Sequence, residues 1–379
     1  MVLERNWISR ILLVGLPAVA ISYVDLSPLR ARAASYEYIA PQVAPPVASG
    51  LSPDRVAAIL NQDVPPVVNE IDAYQQMTVT DATMSMASLA PLKVVQTPLA
   101  DHPYLGVFHN QVTSTKFASY AAYSRDLITW HTLGAIDDIA NLDFGSQPDI
   151  RILPDESVLF AEAYFGKSVT QPHIRVRYYG NAAQTGLLAF IADPTVKPTI
   201  EKILAGIPFS KADGTPAFGR IQYSGSIQNS KIEIINHYFN FGIRDLPAVG
   251  TLTNFQNWSD AADTTTKNLV TGAGGNGKIG DRDAFKIGST VYEVIEAQVN
   301  PTSGDDYSSW RLFLVNRTAG TARRLSPLLV GGAQSLGNPT ISFVTLPVGK
   351  WALVFTCFVF SVNNGTTLPG GHMFAYPLE

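Results

Sequence analysis

The sequence predicts an all-β protein, a five-bladed β-propeller behind an N-terminal signal segment and a linker, and three observations predict it. A two-strand phrase recurs five times, at residues 90–112 (APLKVVQTPLADHPYLGVFHNQV), 145–165 (GSQPDIRILPDESVLFAEAYF), 218–239 (FGRIQYSGSIQNSKIEIINHYF), 281–299 (DRDAFKIGSTVYEVIEAQV) and 337–360 (GNPTISFVTLPVGKWALVFTCFVF). The anchors keep a steady interval: Pro91 and Pro148 lie 57 residues apart, Pro148 and Asp283 135, or two units, and Asp283 and Pro339 56. Composition agrees, since 29 Gly, 25 Pro, 46% hydrophobic and 15% charged residues among 379 suit a turn-rich chain with a large core. A propeller gathers the inner strands of all blades around one axis, so residues distant in sequence line one central pocket.

Residues 1–34 read as a secretion signal: Arg5 and Arg10 form a basic start, residues 11–24 an apolar stretch, and Ala31-Arg32-Ala33 offers small residues before a cut. That stretch falls short of the roughly 20 residues that span a bilayer, so export is expected and no membrane association after signal removal. Cys357 is the only cysteine, so no internal disulfide forms and the core alone holds the fold. Residues 35–76 are rich in Pro and Ala and predict a linker or a strap over the surface, with a short helix at 52–60 where Ser52 caps and Pro53 fits the first turn. The propeller domain is expected over 77–379. Each unit reads as strand, turn, strand and third strand, and the near-continuous apolar runs of the middle strands imply burial on both faces. Either residues 372–376 or residues 77–86 close the ring.

Net charge is −4 without runs of Lys or Arg to neutralise phosphates, which argues against nucleic acid and for a neutral or weakly charged partner. The loop at 272–280 (GAGGNGKIG) lacks the Gly-Lys-Ser/Thr ending of a phosphate loop.

Topology predicts where chemistry gathers. The first two strands of a blade are antiparallel, so the start of one and the end of the other fall at the same end of the propeller. Those places hold His109 and Asn110 in the first unit, Asp149 and Glu162 in the second, and Arg220 and His237 in the third. The fourth unit adds Asp281, Asp283 and Glu296, and the fifth Asn338 and Cys357. Ionised groups resist burial unless paired or put to work, so converging carboxylates mark a site. No tight ligand spacing surrounds either histidine, and no metal ligands are expected.

The segment Ser124-Arg125-Asp126-Leu127-Ile128-Thr129-Trp130 resembles the S-x-D-L-x-x-W segment that follows the third strand of the first blade in five-bladed glycoside hydrolases, which include families 43, 62, 32 and 68. The resemblance, carried by blade count and strand phrasing over most of residues 77–379, implies a secreted monomer that cleaves arabinose-, xylose- or fructose-containing saccharides. It implies three acidic residues around the central pocket and no cofactor, with a structural cation in the axial channel left open. Departures are visible: Ala90-Pro91 stands where the first blade of those enzymes starts Asp-Pro, Gln147-Pro148 puts Asp149 one place late, and the third unit starts without an acid at Ala217-Phe218-Gly219-Arg220. Asp101 could replace the missing first-blade acid, but it reads better as a solvated turn residue.

Glycoside hydrolysis needs one protonated and one ionised carboxyl across the glycosidic oxygen. Glu296, on an apolar strand that raises its pKa, is the expected acid, with Asp149 beside Arg151 as ionised partner, Asp283 as tuning residue and Glu162 as competitor for the acid. His109, Asn110, Tyr164, Arg220, His237 and Asp281 are the expected substrate-binding residues. Structural roles compete with each: Asp281-Arg282-Asp283 as a turn with a local ion pair, Glu162 and Glu296 as salt-bridge partners of Arg175 and Arg311. The alternative function is a carbohydrate-binding propeller without catalysis.

Overall fold

The computed structural model describes residues 36–39, 53–60, 68–72, 77–78, 90–166, 172–181, 186–206, 210–240, 244–287, 289–301, 307–325, 335–361 and 370–378. The expected export signal, residues 1–34, lies outside the described residues. Ahead of the blades come β1 (Tyr36–Ile39), helix α1 (Pro53–Leu60), β2 (Val68–Asp72) and β3 (Met77–Thr78).

Five antiparallel sheets follow in chain order. The first blade contains β4 (Lys93–Gln96), β5 (Tyr104–Thr113), β6 (Lys116–Ser124) and β7 (Trp130–Ala135), with β3 parallel beside β7. The second contains β8 (Gly145–Ile152), β9 (Val158–Tyr164), β10 (His173–Tyr179) and β11 (Ile200–Ile203), with helix α2 (Leu187–Ala192) between its last two strands. The third contains β12 (Ser210–Tyr223), β13 (Lys231–Asn240), β14 (Arg244–Thr253) and β15 (Asn257–Ala262). Helix α3 (Thr264–Gly272) leads to the fourth, with β16 (Ile279–Ile287), β17 (Thr290–Gln298), β18 (Trp310–Asn316) and β19 (Thr321–Arg324). The fifth contains β20 (Ser335–Thr345), β21 (Trp351–Ser361) and β22 (Gly371–Pro377). The chain is a five-bladed β-propeller, as its phrasing predicts.

The ring closes in a way the sequence left open. Residues 372–376 lie in β22, the third strand of the last blade, and β2 supplies the fourth by pairing Val68 with Ala375 and Asp72 with His372. Residues 77–78 join the first blade instead, Met77 opposite Trp130. Strand β1 pairs with the far half of β12, Tyr36 opposite Tyr223 and Ile39 opposite Arg220.

Packing runs from blade to blade, because both faces of the middle strands are apolar. Phe285, Tyr292 and Leu312 of the fourth blade meet Phe343, Phe355 and Phe374 of the fifth, where α1 adds Ile59 and Leu60. Leu92, Tyr120 and Trp130 of the first meet Val354 and Met373 of the fifth. Similar clusters join the first to the second blade and the second to the third.

Between the third and fourth blades the apolar contact is thin, with Ala217, Ile235 and Ala284 at its centre. An ion network stands beside it. Arg282 Nη1 donates to Asp263 Oδ2 at 2.8 Å and Glu293 Oε2 at 3.0 Å, and Arg317 Nη1 donates to Glu293 Oε1 at 2.9 Å. Burial pushes the Asp263 carboxyl up, but the Arg282 guanidinium and the Thr266 N–H outweigh it and hold the group at about 2.

The Ser-x-Asp segment is a compact turn between β6 and β7. Asp126 Oδ1 accepts from the N–H groups of Ile128 and Thr129 at 2.8 and 2.7 Å, and Ser124 Oγ accepts from Leu127 N–H at 2.9 Å. Leu127 adopts φ 67°, and the Trp130 indole donates to its carbonyl at 3.0 Å. The motif seats a fully buried tryptophan and lines neither of the two cavities described below.

Trp130→Ala is expected to cost about 3–5 kcal/mol, measured as a lower urea midpoint. The depressed Asp263 pKa means that its contribution is present above pH ~4 and lost as pH falls towards about 2. Asp263→Asn should therefore destabilise at pH 7 by on the order of 2 kcal/mol and lose that difference in acid.

Candidate functional site

At the mouth each inner strand is the edge of its sheet, β12 included, since β1 covers only its far half, Arg220–Tyr223, and Pro, which has no N–H to give a ladder, is tolerated at such an edge. The chain uses this repeatedly in Ala90-Pro91, Gln147-Pro148, Thr215-Pro216 and Asn338-Pro339, with Asp281-Arg282 at the corresponding place in the fourth blade. The strand register shifts by one residue in this stretch of β8, β12, β16 and β20. A bulge of this kind bends the strand and re-aims a side chain. Gln147, Thr215 and Asn338 all take left-handed backbone, with φ of 51°, 46° and 48°. Small residues precede them and make room: a side chain at Gly214 would collide with His237, and one at Gly280 with Glu296.

The four bulge residues Gln147, Thr215, Asp281 and Asn338, with Ala90 of the first blade, line an axial cavity of about 50 Å³ together with His109, Lys93, Asp149 and Asp283. The described walls leave room for a few waters. A second cavity, of about 530 Å³, lies between the first two blades and is lined by Asp137, Asp143, Arg177, Tyr179 and Glu201 among others.

The carboxylates divide into three settings. Asp149 and Asp283 face the axis and stitch inner strands together. Asp149 accepts from Arg151 Nη1 at 2.5 Å, from its neighbour Ile150 N–H and, across the blade boundary, from Phe218 N–H, both at 2.7 Å. Asp283 repeats the arrangement with Ala284 N–H at 2.9 Å and Ile341 N–H at 2.8 Å, and pairs with the Lys93 ammonium. Glu162 sits between the first and second blades, held by Arg175 Nε at 2.7 Å and the Ser119 hydroxyl at 2.7 Å. Burial raises its carboxyl, but Arg175 and Arg177 outweigh burial and hold it below the usual range. Asp137 shares those arginines, yet burial and the Glu162 charge push it well up.

Asp281 is different. Its N–H donates to Glu296 Oε1 at 3.1 Å, while its own carboxyl is held loosely, by Gln147 Nε2 at 3.3 Å and opposite His237 Nδ1 at 3.5 Å. Burial raises Asp281 to about 6, against the lowering pull of His237, Thr215 and Gln147. Glu296 lies behind it, also accepting from Asn338 N–H at 2.7 Å. Burial, and then the Asp281 charge, push Glu296 well above the usual range despite these two N–H donors.

Among the other expected ligands, His109 lines the cavity and accepts from Gln147 N–H through Nδ1 at 3.0 Å, and burial lowers it to about 4, so its ring is neutral near pH 7. Asn110 is buried on the opposite face of β5, where its Oδ1 accepts from Gln111 N–H. Arg220 lies exposed on the far half of β12, opposite β1, because β12 starts at Ser210 and Thr215, not the stretch near Arg220, reaches the mouth. Tyr164 stacks under the Arg175 guanidinium at 3.9 Å, beside Glu162 and away from the axial cavity. The axial cavity brings together His109, Asp149, Asp281 and Asp283, with His237 and Glu296 against Asp281. Arg311 does not reach Glu296, since its Nη1 donates to the Ser308 and Trp310 carbonyls.

Asn338 takes the place the topology predicts, whereas Gln147, Thr215 and Lys93 are not among the expected residues. The signal for Gln147 and Thr215 is the proline that follows each, and Pro216, midway between Pro148 and Asp283, marks the third bulge. Among the described residues no group of three or more His, Cys, Asp or Glu is placed to hold a metal ion.

The chain resembles five-bladed propeller glycoside hydrolases. A thermostable family-43 glycoside hydrolase shares 11% identity at a TM-score of 0.48, over 79% of this chain and 92% of that one. A family 62 hydrolase in complex with xylotriose shares 12% at 0.45, over 82% and 95%. An N-acetylgalactosamine deacetylase from F. plautii, in complex with blood group B trisaccharide, shares 9% at 0.48, over 79% and 91%. No protein-family model matches the chain, and no curated protein matches it. The chemistry of the mouth rests on this chain's own residues.

Because Asp281 is raised to about 6, its ionisation costs the fold stability as pH climbs from ~4 through 6. Asp281→Asn is expected to be more stable than the parent at pH 8, by on the order of 3 kcal/mol, and to match it at pH 4 in urea titrations.

Proposed function

We propose that the protein is a secreted glycoside hydrolase-like propeller that binds a saccharide at the axial mouth and transfers a proton through Asp281. The observation that carries this reading is that Asp281 is the mouth carboxyl left loosely held, its oxygens 3.3 and 3.5 Å from Gln147 and His237, whereas Asp149 and Asp283 are spent on backbone N–H groups and on cations. A carboxyl that changes protonation near neutral pH suits general acid–base work, since donor and acceptor forms are both populated. Burial and the Asp245 charge oppose its ionisation, and Glu296 behind it is pushed well above the usual range by burial and by the Asp281 charge. The remaining mouth groups, Gln147, Thr215, Asn338 and neutral His109, are uncharged hydrogen-bonding partners, which fits a polyhydroxyl ligand better than an ionic one. Export through residues 1–34 would meet arabinose-, xylose- or fructose-containing saccharides outside the cell.

A second reading, saccharide binding without cleavage, is favoured by one specific arrangement. Hydrolysis requires a second, ionised carboxylate across the bond, and the axial candidates Asp149 and Asp283 already have their oxygens occupied.

Sugar release from arabinan, arabinoxylan, levan and sucrose by the purified protein separates the two. Under the hydrolase reading release occurs, falls as pH rises through about 6, and drops on the order of 100-fold or more in Asp281→Asn while calorimetric binding persists. Binding with no release from any of the four selects the second reading, and neither binding nor release rejects both.

A further inference from the structure

Gln147 carries strain that its surroundings must hold in place. Proline disfavours helical backbone in the residue before it, and left-handed backbone is uncommon for any residue other than glycine, yet Gln147 precedes Pro148 with φ 51°. Such conformations persist where neighbours over-determine them and cluster at functional sites. Two hydrogen bonds do this here. The main-chain N–H donates to His109 Nδ1 at 3.0 Å, and the side-chain Nε2 donates to Asp281 Oδ2 at 3.3 Å. One residue of the second blade therefore grips the first and the fourth at the level of the mouth.

The groups facing Asp281 come from every element around it. His237 on β13 lies 3.5 Å from Oδ1, Glu296 on β17 accepts its N–H, Asp245 on β14 adds a like charge, the uncharged Thr215 hydroxyl on β12 lies beside it, and the Gln147 amide on β8 donates to Oδ2. Gln147 reaches across from a non-adjacent blade.

We propose that Gln147 is the positioning residue of the mouth, its amide orienting the Asp281 carboxyl across the axis while its strained backbone fixes His109. The inference rests on Asp281 being the working carboxyl. An N–H donated to a carboxylate favours the ionised form, so Gln147 sets how readily Asp281 gives up its proton.

The test is a carbon-detected NMR titration of the Asp281 side-chain carboxyl in the full chain, in the parent and in Gln147→Met and Gln147→Gly. Met removes the donor at nearly equal length; Gly removes it and also relieves the left-handed strain, which protects the test against a variant that fails to fold. The midpoint is expected to move upward by roughly half a pH unit in both. An unmoved midpoint in folded Gln147→Gly overturns the proposal and leaves Gln147 a bulge residue only. If Asp281 in the parent instead titrates as an ordinary exposed carboxyl, the reading of the mouth as a proton-transfer site falls first, which is a separate result.

Discussion

The constraint on which this propeller depends is that the mouth ends of the inner strands are sheet edges packed around one axis, with only the far half of β12 covered, by β1. An edge strand presents unpaired N–H and C=O groups, and buried backbone groups left without partners cost about as much as lost hydrogen bonds. Here side chains supply partners across the blade boundaries. Asp149 takes Phe218 N–H from the third blade and Asp283 takes Ile341 N–H from the fifth. Between the fifth and first blades, Thr356 donates to the Leu92 carbonyl at 2.9 Å, and the Thr345 N–H donates to Gln96 Oε1 at 2.8 Å. Polar residues near the axis are thus required by backbone chemistry before any function is considered.

That requirement sorts the acids. A carboxylate accepting neighbouring N–H groups and facing a cation is stabilised in its ionised form and has little capacity left for a ligand. The oxygens of Asp149 are taken by Ile150 and Phe218 N–H and by Arg151. Those of Asp283 are taken by Ala284 and Ile341 N–H and by Lys93, whose own pKa burial pulls well below its usual value. Glu162 is in the equivalent state between the first and second blades. Asp281 is exempt because Glu296 of the same blade does the stitching, accepting the Asp281 N–H and, across the blade boundary, the Asn338 N–H, and the Asp281 side chain stays at the mouth.

The architecture was legible because its causes are local and repeated. Apolar runs such as those of β9 and β17 state burial on both faces, and the interval between anchors states the number of blades. The buried pair of Glu162 and Arg175 was legible too, since they lie opposite each other on neighbouring strands. The axial roles were not. Whether Asp149 serves a ligand or Phe218 N–H depends on a contact 69 residues away, which no local pattern encodes. Arg220 was expected at the mouth because the phrase was started at residue 218; the bulge at Thr215-Pro216 shifts the register, and a slip along a strand moves a residue from one end of the blade towards the other. β1 and β2 were equally hidden, because edge pairing at Tyr36–Ile39 and Val68–Asp72 is decided by which sheets offer a free edge.

The energetics of Asp281 point the same way as its geometry. Burying a carboxyl that must ionise near neutral pH lowers stability, and a threonine or asparagine there, as the third and fifth blades have, would avoid that loss. The fold has no evident use for the charge: among the described residues Asp281 pairs with no Lys or Arg, burial opposes its ionisation, and the like charge of Asp245 on β14 makes ionisation harder still. Structural carboxylates in this molecule, Asp149, Glu162, Asp263 and Asp283, all sit against a basic side chain. A group held at a stability cost, among donors that orient it but do not neutralise it, is what proton transfer requires and what packing does not.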